Sequence, residues 1–390
     1  MSRFLKIAIV LLAIAAMATP VMAEDMLSLG GQMRVRGWYT DVDGDDFTTS
    51  WLDQRLRIGG KLSVADGVSI TFRTDITEQN WGNGGSEYGS GRMGSGQQWD
   101  RAHIDLTKGN VHVRAGQMYA GYGLAQTINS QDAGFKVDVK GAVPFSAFWL
   151  LDDQNGTSSD SYLYAANVGF KGDSFKANVF GGGQTKAVSM HENAYMIGAD
   201  ATFNLQALKL AAELDFFTGD ADSNVDAMGT QFYVDAAFAA TETMTVGGEF
   251  YYAQGADTDG SEMQYTVLGN DFNGYDPLFD LGTSLSNEQI GINRPFDFTG
   301  DNAGAIGARG YLKAKAGDAV NFGASIAYME PEEDANTTID SALFYAVGMK
   351  YAVMAHTSLQ AQLQYIDIDD SDSEAADSII AGGVGLFVNF

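Results

Sequence analysis

The chain is 390 residues long, has no cysteine and carries a formal net charge of −27 at pH 7. So acidic a chain is a poor partner for nucleic acid, and without cysteine it holds no disulfide, iron–sulfur cluster or covalently attached c-type haem. Glycine is abundant (47) and proline scarce (5), while charged residues make up 19%, below the usual ~25%.

Residues 1–23 read as a secretory signal. Arg3 and Lys6 form the charged start, 7–16 is an apolar run, Pro20 breaks it, and Val21-Met22-Ala23 is a small-residue cleavage site. The apolar run is shorter than the ~20 residues a membrane-spanning helix needs. The mature chain is therefore expected to be 24–390, and no later stretch reaches spanning length.

From there the sequence alternates short apolar/polar segments with two kinds of connection. One kind is a tight turn, as at Ala65-Asp66-Gly67, Lys108-Gly109-Asn110, Lys171-Gly172-Asp173, Ala316-Gly317-Asp318 and Ala355-His356-Thr357. The other is long, polar and mostly acidic: 41–49, 78–97, 120–132, 152–160, 184–192, 219–227, 254–301, 331–340 and 369–376. Short periplasmic turns alternating with long extracellular loops characterise an outer-membrane barrel. The segments between them predict strands over 28–40, 50–64, 68–77, 98–107, 111–119, 133–140, 143–151, 161–170, 174–183, 193–204, 207–218, 228–240, 243–253, 302–315, 319–330, 341–354, 358–368 and 377–390. The fold class is thus all-β, a transmembrane antiparallel up-and-down barrel of about 18 strands, with 16 as the alternative. Either even number puts both termini on the periplasmic side.

The two faces are clearest in 68–77 and 358–365. Val68, Ile70, Phe72, Thr74 and Ile76 alternate with Ser69, Thr71, Arg73, Asp75 and Thr77; Leu359, Ala361, Leu363 and Tyr365 alternate with Ser358, Gln360, Gln362 and Gln364. In a bilayer the apolar row faces lipid, because a charge there costs about 2–4 kcal/mol near the midplane, so the polar row lines a lumen. A soluble β-sandwich also alternates, but with far fewer strands. Aromatic residues near strand ends, among them Trp38-Tyr39, Trp51, Phe216-Phe217 and Tyr251-Tyr252, are expected to form interfacial belts.

Arginines concentrate in the first five predicted strands. Arg34, Arg36, Arg55, Arg57, Arg73, Arg101 and Arg114 fall on inward positions there, with Lys61, and outnumber Asp53, Asp75 and Asp105 on the same wall. Strands ten to thirteen carry Asp200, Glu213, Asp215, Asp235 and Glu249 inward, with Lys209. Opposed basic and acidic walls across a wet pore would orient charged solutes. Simple Arg–Asp neutralisation of the wall is the competing reading.

Segment 120–132 holds the place of the third outer loop. Gly121 and Gly123 would allow an inward bend and Tyr122 and Gln126 would line it, which makes these four a candidate constriction; an exposed loop is the alternative. The long connection 254–301 contains Phe272, Tyr275, Pro277, Leu278 and Phe279, more apolar groups than a solvated loop needs. It is expected to pack into the mouth as a lid or to stand above the membrane as a hairpin. Acidic clusters in the outer loops lack the spacing of a calcium loop. His103, His112, His191 and His356 form no metal-binding motif and no nucleophile elbow is present. No catalytic residue, metal or cofactor is expected, and an enzyme is not the reading.

The last residues, DSIIAGGVGLFVNF, place Phe390, Val388 and Leu386 on one apolar face and end on an aromatic. This ending resembles the C-terminal assembly signal of outer-membrane barrels, which implies recognition by the barrel assembly machinery. The opening GGQMRVRGWYT…WLDQRLRIGGKLSV is similar to the start of the alginate-export-like porin family, over about fifty residues. That resemblance implies pore-lining roles for Arg34, Arg36, Arg55 and Arg57, without carrying the alginate role with it. The expected function is a Gram-negative outer-membrane porin passing small hydrophilic solutes, anionic ones included. Its partners would be lipid, lipopolysaccharide and those solutes. The alternative is a barrel sheath holding a partner cytochrome in an electron-transfer complex.

Overall fold

The computed structural model describes residues 26–43, 48–81, 97–124, 127–153, 161–185, 193–222, 224–268, 283–285, 302–371 and 377–390. The expected signal segment, Gln126, His191 and the apolar run from Phe272 to Phe279 lie outside the described residues.

The described residues form nineteen strands: β1 (Leu27–Val42), β2 (Thr49–Ala65), β3 (Val68–Asn80), β4 (Gln98–Lys108), β5 (Val111–Tyr122), β6 (Ile128–Val139), β7 (Phe145–Asp153), β8 (Ser161–Lys171), β9 (Phe175–Thr185), β10 (Asn193–Leu205), β11 (Leu208–Asp222), β12 (Val225–Thr241), β13 (Met244–Ala253), β14 (Glu262–Gln264), β15 (Ala305–Ala316), β16 (Val320–Glu330), β17 (Ile339–Met354), β18 (Thr357–Asp370) and β19 (Ser378–Asn389). Eighteen build the wall, each antiparallel to its chain neighbour. The short β14 lies in the connection between β13 and β15 and pairs parallel with β12. The ring closes where β1 meets β19, with Val35 opposite Leu386 and Arg36 opposite Gly385. Phe390 completes the seam: its N–H donates to the Gly31 carbonyl at 3.0 Å and its carbonyl accepts from the Gly31 N–H at 2.7 Å. The expected eighteen-strand closed barrel is the observed one. Among the described residues, no helix is long and apolar enough to cross a membrane.

Alternation sets which side chains face out. Leu29, Ile197, Phe135 and Leu363 are more than half exposed on the outer surface, whereas Gln360, Gln362 and Gln364 are buried on the inner one. One end of the ring carries the tight turns and the chain's C-terminus. The other carries the longer connections, and we call these the turn end and the loop end.

Some expected boundaries move. The segment 120–132 is mostly strand: β5 runs to Tyr122 and β6 begins at Ile128. Gly121 and Tyr122 are therefore ladder residues, not a constriction loop. Likewise 219–227 is no long loop, because β11 reaches Asp222 and β12 begins at Val225. Both segments are rich in Gly, Asp and Asn, which mimics a turn when their inward positions are polar. The paired aromatics divide by parity rather than forming a belt together. Trp38, Phe217 and Tyr251 are buried inside, while Tyr39 and Phe216 face out.

Candidate functional site

The interior of the ring is the site. Its basic sector spans β1 to β5. Arg36 Nε donates to Asp53 at 2.8 Å, and Asp53 also accepts from the Trp38 indole N–H at 2.6 Å. Arg57 makes a two-pronged contact with Asp75 at 2.6 and 2.7 Å. Such planar, paired geometry is what guanidinium offers a carboxylate. Arg34 pairs with Glu78, to which Arg55 also comes within 3.5 Å; Arg73 pairs with Asp100, 3.7 Å from Arg101; and Arg114 meets Asp138 at 3.2 Å.

Asp138 of the neighbouring β6 shares the inner face with Arg114 by plain alternation, standing opposite His112. Strict alternation does not put Glu78 or Asp100 on this wall, and both owe their place to register shifts. Arg57 stands opposite Asp75 and Leu56 opposite Thr77, so Ile76 is an extra residue and Glu78 swings to the side of Arg55. In β4, Arg73 faces Arg101 and Thr74 faces Trp99, leaving Asp100 as the bulged residue beside Arg101. A β-bulge inserts one residue and re-aims the side chains beyond it. The excess of basic over acidic charge is thus smaller than strict alternation implies.

A polar chain continues from this sector. The Thr71 hydroxyl donates to Asp105 at 2.6 Å, and His112 Nε2 lies 2.9 Å from the other oxygen of Asp105. The Ser146 hydroxyl donates to Asp138 at 2.8 Å and stands 2.7 Å from the Tyr122 hydroxyl. Tyr122 packs beside Phe148, and Lys136 approaches its ring at 5.2 Å. Tyr122 therefore belongs to the barrel wall.

The acidic sector is closed over. Asp200, Glu213, Asp215 and Glu249 are 6%, 2%, 1% and 8% exposed. Asp200 accepts from the Asn178 amide at 2.9 Å, Asp235 from the Tyr311 hydroxyl at 2.9 Å, and Glu249 pairs with Arg309 at 3.1 Å. Glu213 caps the short β5–β6 connection, accepting from the Leu124 N–H and, at 2.6 Å, from the Thr127 hydroxyl. Gly123 makes that possible: its φ of +88° is left-handed, and a Cβ there would stand 2.4 Å from Glu213 Oε1. Sequence reading missed Arg309, a lone arginine far from the others. The basic sector is more open, with the side chains of Arg73, Arg101 and Arg114 at 30%, 35% and 25% exposure.

The connection after β13 enters the ring at the loop end. Its stems are clamped by Asn336, whose amide donates to the carbonyls of Ala256 at 2.6 Å and Asn302 at 3.0 Å. Residues Glu262–Gln264 run along β12, and the Gln231 amide donates to Thr266 O at 2.5 Å. Leu268 then bridges to Ile128 of β6, accepting from the Asn129 N–H at 2.9 Å and donating to Thr127 O at 2.9 Å. Further on, Thr283 donates to Gln362 at 2.8 Å, the Ser284 N–H donates to Gln360, and Leu285 is buried with Trp38 and Phe387. The described part of this connection is therefore a strap that touches β12, β6 and β18. Leu268 is fully buried in an apolar cluster with Met118, Ile128, Phe148, Leu150 and Phe217. Val267 packs against a second cluster containing Tyr233, Tyr251 and Phe344.

Among the described residues, no group of three or more His, Asp or Glu side chains is placed to hold a metal ion.

No family model matches this chain, and no curated protein does. Solved structures do. OccAB1 of Acinetobacter baumannii aligns over 93% of this chain and 96% of its own at a TM-score of 0.60 and 13% identity. OccK11 (OpdR) of Pseudomonas aeruginosa aligns over 94% and 96%, with a TM-score of 0.63 and 8% identity. The anion-selective porin from Comamonas acidovorans aligns over 93% and 99%, at 0.55 and 12%. The fold is that of the outer-membrane porins.

Proposed function

We propose that the chain is a Gram-negative outer-membrane porin, not an enzyme, that passes small hydrophilic solutes and conducts small anions at least as well as cations. In this reading the turn end faces the periplasm, the loop end the outside, and the inner faces line the pore. The observation that carries it is the contrast between the two charged sectors. Asp200, Glu213, Asp215 and Glu249 of β10 to β13 are buried, most behind donors of their own, while Arg73, Arg101 and Arg114 keep a quarter or more of their side chains exposed. Exposed charges farther off than the Debye length, ~8 Å at physiological ionic strength, are largely screened, so the nearest interior groups govern permeation. The narrower placement among alginate-export-like barrels rests on the opening segment alone. A sheath around a partner cytochrome needs an open bore, and the strap from β12 to β6 stands in that bore.

The test is the reversal potential of single channels in a salt gradient. Replacing Arg34, Arg55, Arg73 and Arg114 with Gln should move it toward cation preference, and Asn at Asp41, Asp43 and Asp45 should move it much less. An unchanged reversal potential in the arginine variant would sink the reading.

A further inference from the structure

The lysines are placed as unevenly as the arginines, but differently. Lys61 of β2, Lys171 of β8, Lys176 of β9, Lys209 of β11, Lys315 of β15 and Lys350 of β17 all lie near the turn end. Register puts them on the inner face. Lys61 stands opposite Thr71, whose hydroxyl reaches Asp105. Lys176 stands opposite Thr202, two residues from the Asn178–Asp200 contact. Lys209 shares the parity of Glu213. Lys315, Asn321, Lys350 and Gln360 form one cross-strand row, which continues through Gly385 to Arg36.

Two features set these lysines apart from the arginines. Each arginine of the basic sector has a carboxylate within 4.0 Å, whereas among the described residues none of these six lysines does. Moreover, Lys171 and Lys176 stand directly opposite each other on one face, a like-charge pairing that disfavours the ladder. A ring of ammonium groups without internal counter-ions attracts external ones, and its field adds around the circumference. Lysine presents a mobile point charge with three donors rather than a planar fork, which suits the rounded charge of phosphate.

We propose that the turn-end inner wall binds multivalent phosphate-bearing anions on the opposed pair Lys171 and Lys176 and on the row of Lys315 and Lys350, with Lys61 and Lys209 adding to the field of that mouth. It adjoins the arginine sector, since the row of Lys315 and Lys350 runs on to Arg36, but its members are lysines without a carboxylate at hand among the described residues. Because the row lies on the inner face, the occupant is a soluble phosphate rather than a lipid headgroup.

Titration calorimetry of the detergent-solubilised full chain with inorganic tripolyphosphate tests this directly. Binding should weaken roughly tenfold or more in the Lys171, Lys176, Lys315 and Lys350→Gln variant and should change little in an Arg73 and Arg114→Gln variant. Heat-modifiable migration of each variant confirms a closed barrel. In planar bilayers, tripolyphosphate should block current from the turn-end side only. Repeating the calorimetry in nanodiscs with phosphatidylglycerol separates the sources, because a fall in affinity there marks headgroups as occupants of the same lysines and overturns the assignment to a soluble phosphate. Equal binding by wild type and the lysine variant, or loss only in the arginine variant, overturns the proposal. The current measurement rests on the porin reading and the calorimetry does not, so binding without conduction would fail that reading alone.

Discussion

Trp38 lies flat across Gly383 at the barrel seam. A Cβ at Gly383 would stand 2.5 Å from the indole ring, and the same indole donates to Asp53 at 2.6 Å and stacks on Trp51 at 6.2 Å. The glycines on the inner face of β19 are therefore the floor on which a large aromatic rests. Gly383→Val should destabilise the closed barrel by about 1–3 kcal/mol, the usual penalty for overpacking. Urea unfolding in detergent measures this, and adding Trp38→Ala should recover part of the loss.

Phe390 closes the ring through two backbone hydrogen bonds to Gly31. Its deletion also ends the apolar row of Val388 and Leu386. Less protein should then reach the heat-modifiable, membrane-inserted form, and more should collect in the periplasm. Normal levels of inserted barrel would remove the assembly role of this ending.

Leu268 pins the strap to β6 from inside a fully buried apolar cluster. Leu268→Asp should release that tether, because an unpaired carboxylate in such a site is unfavourable by several kcal/mol. Single-channel conductance should rise while heat-modifiability is unchanged. A conductance equal to wild type would show that the strap does not narrow the path.

Arg309 and Glu249 form an ion pair with side chains 1% and 6% exposed. Arg309→Ala strands a buried carboxylate and should cost about 3–5 kcal/mol, whereas the double change Arg309→Met with Glu249→Leu should cost much less. Comparing unfolding midpoints of the single and double variants checks the difference.

The ring itself was legible because eighteen segments of period two leave little else for the chain to form. Where reading by parity failed, the cause is local. Ile76 and Asp100 are extra residues in their ladders, and nothing in the composition of 68–80 or 98–108 announces a bulge. Glu78 and Asp100 therefore read as rim or lipid-side residues, although they neutralise Arg34 and Arg73. Gly121, Tyr122 and Gly123 read as a loop because glycine and polar groups favour turns, while Tyr122 in fact reaches Ser146 across the wall. The apolar run 272–279 that singled out 254–301 lies outside the described residues, but Leu268 and Leu285 of the same connection are buried. Its partners, Ile128 on β6 and Gln360 on β18, are too distant in sequence to be named from pattern alone.

The strap has a mechanical meaning beyond filling space. A hoop of strands joined only edge to edge flattens easily, since bending each ladder a little changes the cross-section a great deal. Here one segment ties β12 to β6 and then reaches β18, three sectors spread round the circumference, so it acts as spokes in a wheel. Its contact with Gln360 lies in the row of Lys315 and Lys350, so the bracing reaches from the loop end into the half that carries the lysines.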